Sequence, residues 1–311
     1  MANCNKKLRK AAECGDVVEL KYLLEHSKCN PLSKDEMGRT ALIWAAALGR
    51  DSCVQLLLPV SDALVKDERE MTALMHAAAN GSVSCTQLLL PVSAALEQCV
   101  NGMTALIWAA WYGSADCIKV LIPVSDARAQ DKAGSTALAQ AAMTGCLSCL
   151  ECLLPVSDAT TRCSEGNTAL MEVVIRKKAE CVELLLPFSN ILNKNDKGQT
   201  ALMFAAVVGC EATTRLLMGA QNAKCKDNEG MSALMFAAFH GHKACVQLLL
   251  EVSDAADQSN DGKSATDHAR CNEFYQSAAQ IDAFILAQSE GDALEALTQP
   301  KAVGKRAPPR V

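Results

Sequence analysis

Between Met71 and Ser93 the apolar residues recur at helical spacing. Leu74, Ala77 and Ala78 stand three and four apart, which marks one buried helical face. Thr72 precedes them and is a natural cap, its hydroxyl accepting from first-turn N–H groups. Gly81 ends this helix, because glycine takes the left-handed conformation at low steric cost. A second apolar series follows in Cys85, Leu88 and Leu89. Pro91 stops it, since proline cannot continue the hydrogen-bond ladder. The stretch from Glu97 to Gly102 is polar and turn-rich. The pattern predicts two short antiparallel helices and a connecting loop.

Neither helix can bury its apolar face alone, and the same pattern returns along the chain. Thr-Ala-Leu starts at Thr40, Thr72, Thr104, Thr136, Thr168 and Thr200. Ser232-Ala233-Leu234 and the degraded Ser264-Ala265-Thr266 keep the register, each step being 32 residues. A fixed period of this length marks a stacked repeat protein. Each unit touches only its neighbours, so the stack offers an extended surface, and binding is the expected function.

Length alone, 311 residues, would suggest two ordinary globular domains, but the repeat overrides that reading. A net charge of −5 gives no electrostatic footprint for nucleic acid. The chain holds no run of about 18 or more apolar residues, so a membrane span is not expected. The start, MANCNKKLRKAAECGD, has basic residues with no apolar stretch after them, so no secretory signal is expected either. A cytoplasmic location follows, with the nucleus or the cytoskeleton as alternatives. Six of the cysteines form one column of the repeat: Cys53, Cys85, Cys117, Cys149, Cys181 and Cys245. Packed helices lie roughly 10 Å apart, and a disulfide needs Cα atoms within about 7 Å. The column should therefore hold buried, reduced thiols acting as small hydrophobes, which fits a reducing compartment.

The unit resembles an ankyrin repeat. The family's Thr-Pro-Leu-His-x-Ala-Ala signature is met at Thr40, Leu42, Ala45 and Ala46, and again at Thr72, Leu74, Ala77 and Ala78. It recurs from Thr104, Thr136 and Thr200. The Asp-x-x-Gly of the family's β-turn appears at Asp35–Gly38, Asp131–Gly134 and Asp227–Gly230. A fainter copy, Leu8 to Ala12 with Gly15, begins the array. The resemblance implies an all-α solenoid of about nine helix-turn-helix units with short β-turn loops. It spans residues 1–290, with capping units at 1–37 and 264–290, and a basic, Pro-containing disordered tail at 291–311. The array departs from the family in two ways. The family's histidine is Ile43, Met75, Ile107, Met203 or Met235, and Pro-Val-Ser-Asp replaces the glycine after the second helix, as at Pro59–Asp62. With the cysteine column, this variant is similar to a protozoan ankyrin family catalogued as protein 21.1.

In ankyrin-like stacks the first helix and the loop tips line a concave groove. Counted from each Thr, the outward positions are plus four, plus seven and plus eight, one helical stripe. Seven of the chain's 12 aromatic residues fall there: Trp44, Trp108, Trp111, Tyr112, Phe204, Phe236 and Phe239. His76, Asn80, Gln140, Met143, Leu48, Val208 and His240 share the stripe. The partner-binding candidates are Trp44, His76, Trp108, Trp111, Tyr112, Gln140, Met143, Phe204, Phe236, Phe239 and His240. Exposed aromatic clusters are typical material for protein recognition, and the alternative is that they pack as core between first helices. The unit at Thr168 breaks the pattern with Val173-Val174 and the basic run Arg176-Lys177-Lys178, read as a drifted repeat or a contact for an acidic partner.

Cys146, Cys149 and Cys152 read as C-x-x-C-x-x-C, but two of the three fall at packed helix positions, so no metal site is expected. His240-Gly241-His242 spans a turn without a third ligand nearby. Nucleophile elbow, Walker loop and dinucleotide fingerprint are all missing from the sequence, so neither catalysis nor a cofactor is expected. After Gly262, Phe274, Tyr275, Ile281, Phe284, Ile285 and Leu286 form an apolar face that should seal the last unit. The expected protein is a monomeric, non-catalytic scaffold or adaptor that binds another polypeptide. The alternative is a regulatory subunit that inhibits or positions a partner enzyme.

Overall fold

The computed structural model describes residues 2–298. Among them are nineteen α-helices and no strand beyond isolated bridges such as Arg162 with Thr168. The chain divides into two units, residues 1–201 and 202–311.

The first unit holds six helix pairs. They are α1 (Ala2–Cys14) with α2 (Val17–His26), α3 (Ala41–Ala47) with α4 (Asp51–Leu57), and α5 (Ala73–Asn80) with α6 (Val83–Leu89). Next come α7 (Ala105–Trp111) with α8 (Ala115–Leu121), α9 (Ala137–Thr144) with α10 (Leu147–Leu153), and α11 (Ala169–Ile175) with α12 (Ala179–Leu185).

The local rules repeat from pair to pair. Thr40, Thr104 and Thr136 each accept at Oγ1 from the N–H three residues on, at 3.3 Å, and Thr72 does so at 3.4 Å. The first helix then turns through a left-handed glycine, Gly49, Gly81, Gly113 or Gly145. In the drifted repeat Lys177 takes that conformation, at φ 58°, where L-residues are strained. The second helix tightens into a 3₁₀ turn with proline near its start, as at Leu58–Val60, and so leaves the stack without a glycine.

Leu42, Ile43, Ala45 and Ala46, and their counterparts in later repeats, are almost wholly buried. Each large apolar side chain of this kind contributes about 1.5–3 kcal/mol on burial. Ile43, Met75 and Ile107 thus fill with apolar contact the place of the family's histidine. The cysteine column is buried and unbridged, and burial pushes the thiols of Cys53, Cys85 and Cys117 up. Cys4 and Cys29, for which the sequence suggested no pairing, form a disulfide that ties α1 to the loop after α2.

The loops carry a second ladder. Glu68 N–H donates to Met37 O at 3.1 Å, Val100 to Arg69 at 3.0 Å, Lys132 to Asn101 at 2.9 Å and Ser164 to Ala133 at 2.8 Å. Each bond joins a loop tip to the next, near one repeat period away. Gly102 is required in this ladder, for a Cβ there would lie 2.9 Å from Lys132 N.

The second unit holds α13 (Ala201–Val208), α14 (Glu211–Leu217), the short α15 (Ala220–Ala223), α16 (Ala233–Phe239), α17 (Lys243–Leu250), α18 (Ala265–Cys271) and α19 (Tyr275–Thr298). Here α15 takes the place of the proline turn, and buried Asn222 donates from Nδ2 to Leu217 O at 3.0 Å. The expected cap is only partly realised. Ile281 is buried and Phe284 and Ile285 are half-buried, but Phe274, Tyr275 and Leu286 are exposed. The tail expected at 291–311 begins as helix, because α19 runs to Thr298. Residues 299–311 lie outside the described residues. Among the described residues no helix is long and apolar enough to cross a membrane.

Candidate partner-binding surface

The stripe read from the sequence separates into two kinds of position. At plus four, Trp44, His76 and Gln140 point into their own loops. Asp35, five residues before Thr40, accepts at Oδ1 from the N–H groups of Met37 at 2.9 Å and Arg39 at 2.8 Å. Its Oδ2 accepts from Trp44 Nε1 at 2.9 Å. The Arg39 guanidinium stacks 3.9 Å from the Trp44 ring and pairs with Asp35 at 3.3 Å. One repeat on, Asp67 accepts from Arg69 and Met71 N–H, and His76 Nε2 lies 2.8 Å from its Oδ2. Asp131 accepts from Ala133 and Ser135 N–H and from Gln140 Nε2 at 2.9 Å.

Burial alone would raise the Asp67 carboxyl, but the bonds from His76, Met71 and Arg69 outweigh it and hold it below its ordinary value. At Asp35 burial likewise works upward, and bonds from Arg39, Trp44 and Met37 bring the carboxyl down. These are internal clasps that fix the loop to the first helix. Gln140 is buried at 3% exposure, so it is withdrawn from the partner-facing set. Trp44 and His76 are half-buried and engaged in the same way.

The loop between those of Asp67 and Asp131 lacks its clasp. Cys99 stands where Asp35, Asp67 and Asp131 stand, and Trp108 Nε1 is buried with no hydrogen-bond partner. Trp108 packs instead against Tyr112, their rings nearly parallel with centroids 6.0 Å apart.

Plus seven and plus eight face outward. Trp111 is 43% and Tyr112 59% exposed, at positions where other repeats carry Ala47, Ala79, Leu48 or Asn80. With Trp108 they line a shallow groove of about 550 Å³, bounded by Asn101, Met103 and Lys132. Leu48, at plus eight of the repeat at Thr40, is exposed, and Met143 is half-buried.

In the second unit Phe204 and Phe236 are half-buried, while Phe239 and His240 are exposed. Asp227 accepts from Glu229 and Met231 N–H, but Phe236 at plus four has no donor to complete the clasp. His268 does, its Nε2 lying 3.0 Å from Ser259 Oγ. Phe239 meets His240 edge-on at 5.1 Å, and His240 stacks with His242 at 6.0 Å. Burial, with His242 beside it, lowers the His240 pKa.

One feature of the first unit escaped the sequence reading. A groove of about 850 Å³ is lined by Lys6, Lys7, Arg9, Lys34, Arg39 and Trp44. Most of these cations are engaged: Arg9 with Ser33, Lys34 with Lys66 O and Arg39 with Asp35. Lys6 and Lys7 are exposed. The signal was the basic run at the start of the chain, whose meeting with the loop after α2 the sequence does not display.

Among the described residues no group of three or more His, Cys, Asp or Glu side chains could hold a metal ion. The basic run at Arg176–Lys178 is exposed.

A family model described as ankyrin repeats in three copies matches residues 3–67, 53–133, 120–187, 138–224 and 210–281. No curated protein matches the chain.

Proposed function

The chain belongs to the ankyrin-repeat family, and from that premise we propose a non-catalytic scaffold or adaptor that holds a partner polypeptide on its first-helix face. Members of the family are generally protein–protein interaction modules. The observation that carries the reading is the Trp111–Tyr112 pair. Two large rings stand open to solvent at positions where the other repeats place smaller side chains. Such patches mark interaction sites, and Trp and Tyr dominate the energy of protein interfaces. A helix or an extended segment that lays apolar side chains across Trp111 and Tyr112 fits the shallow groove. The rim residues Asn101 and Lys132 offer hydrogen bonds to its backbone or acidic groups. Phe239 and His240 form a smaller patch of the same kind in the second unit. On the Pro-Val-Ser-Asp turn and the cysteine column of the sequence alone, we propose that the chain is related to the protozoan group catalogued as protein 21.1.

The test is proximity labelling and affinity capture in the native cell with the wild type and with Trp111→Ala/Tyr112→Ala. Trp108 is left intact because it is half-buried and supports the fold. Thermal unfolding confirms that the variant is folded. Loss of specific partners in the variant supports the reading, and equal recovery of the same partners refutes it.

A further inference from the structure

Cys146 and Cys149 meet at the start of α10, their sulfurs 2.9 Å apart. Cys146 is the cap residue and half-buried, and Cys149 is the buried column cysteine. The other repeats pair the column position with a different residue at the cap: Arg50 with Cys53, Ser82 with Cys85, Ser114 with Cys117, Lys178 with Cys181. Only the repeat at Thr136 puts a thiol at both places, among these pairs. A disulfide bond is about 2.05 Å long, so closing the gap needs a movement of roughly 0.9 Å by two side chains. Cys152, one turn further, makes no sulfur contact of this kind among the described residues.

We infer that Cys146 and Cys149 are a reversible dithiol–disulfide pair, oxidised by low-molecular-weight disulfides. The Cys146 thiolate attacks one sulfur of glutathione disulfide and expels a glutathione thiolate, leaving a mixed disulfide on Cys146. Cys149 gives its proton to the departing thiolate and attacks Cys146 Sγ, expelling the second glutathione. The two cysteines lose two protons and two electrons, and one glutathione disulfide becomes two glutathione thiols.

The two thiols are differentiated for these roles. Burial works upward at Cys146, but its neighbours Cys149 and Ser148 outweigh it and lower its pKa. Burial pushes Cys149 strongly up, and the contact with Cys146 adds to that. The more exposed and more acidic thiol is the one that reacts first. Cys210 is a built-in comparison. It caps α14 with Thr213 three residues on, 3.2 Å away, so it has a hydroxyl where Cys146 has a second thiol. It can take a mixed disulfide but cannot resolve one.

The experiment uses the full chain, equilibrated in glutathione buffers of stepped oxidised-to-reduced ratio, then quenched by alkylation and digested with trypsin. Residues 133–162 form one tryptic peptide that holds Cys146, Cys149 and Cys152, and residues 198–215 form one that holds Cys210. The expected product is the first peptide lighter by two hydrogens, with a single alkyl group on Cys152. Cys210 is expected to carry glutathione or alkyl only. Cys146→Ser, which restores the residue found at Ser82 and Ser114, abolishes the internal disulfide, and Cys152→Ser leaves it. The inference falls if the peptide stays triply alkylated where Cys210 is already glutathionylated. It also falls if glutathione stays on Cys146, or if an internal disulfide forms equally in Cys146→Ser.

Discussion

Replacing Cys99 with aspartate should make the protein more stable, although it buries a new charge. In the loops that keep the aspartate, one carboxylate holds two backbone N–H groups and the plus-four side chain. At Asp35 these bonds measure 2.9, 2.8 and 2.9 Å. An aspartate at position 99 meets the same set: the N–H groups of Asn101 and Met103, and Trp108 Nε1, which is now buried without an acceptor. Hydrogen bonds to a charged group contribute roughly 1.5–3 kcal/mol each, and an orphaned buried donor costs about 1–3 kcal/mol. Desolvating the carboxylate takes back several kcal/mol. At Asp67 the same set of bonds holds the carboxyl below its ordinary value despite its burial, so the ionised form is the one favoured in such a loop. A net gain of about 2 kcal/mol is the expected outcome for Cys99→Asp. For a long chain that is a rise of roughly 4 °C in melting temperature. Urea and thermal unfolding followed by circular dichroism measure it. Trp108→Phe in the Cys99→Asp background removes the indole donor and should forfeit about 1 kcal/mol of the gain. A fall in stability for Cys99→Asp, or a gain indifferent to Trp108→Phe, refutes the clasp.

The remaining expectations use the same unfolding assays. The Asp35 and Asp67 carboxyls sit below their ordinary values, so their contribution is complete above the unfolded carboxylate pKa of about 3.9 and is lost as pH falls through the lower folded values; Asp67→Asn should flatten the fall in urea midpoint below about pH 4, and an unchanged profile would count against the clasp. Lys177→Gly relieves left-handed strain of roughly 1–2 kcal/mol, offset partly by the freedom glycine adds to the unfolded chain, for a net gain of roughly 0.5 kcal/mol. Gly102→Ala combines that strain with a Cβ pressed against Lys132 N and should cost roughly 2–3 kcal/mol; a neutral result would mean that the loop-to-loop ladder does not bear on stability.

The fold was legible because the repeat states it many times. Thr40, Thr72, Thr104 and Thr136 cap, the glycines at Gly49, Gly81, Gly113 and Gly145 reverse the chain, and the cysteine column packs, as the pattern implies. The reading weakened where a unit drifts. Nothing in the stretch around Gly219 announces that α15 replaces the proline turn. The apolar residues after Gly262 gave no way to tell Ile281, which is buried, from Phe274 and Tyr275, which are not. The Cys4–Cys29 disulfide depends on where the first two helices leave their ends, which spacing alone does not reveal.

The stripe was legible in its spacing, and burial divides it between plus four and the two outer positions. Helical periodicity groups plus four, plus seven and plus eight on a single stripe, and it has no means to tell a side chain facing a partner from one facing its own loop. The distinguishing signal lies nine residues upstream. Asp35 with Trp44, Asp67 with His76 and Asp131 with Gln140 each join an acceptor to a hydrogen-bond donor across that interval. A donor at plus four is therefore consumed wherever aspartate precedes it, whatever its size or aromaticity. No residue of the loop makes such a claim on Trp111 and Tyr112, which stand at the C-terminal end of α7. The same logic explains why Trp108 is the exception within its column. With Cys99 in place of the acid it loses its loop partner and stacks on Tyr112, so the substitution that weakens one loop also assembles the aromatic surface beside it.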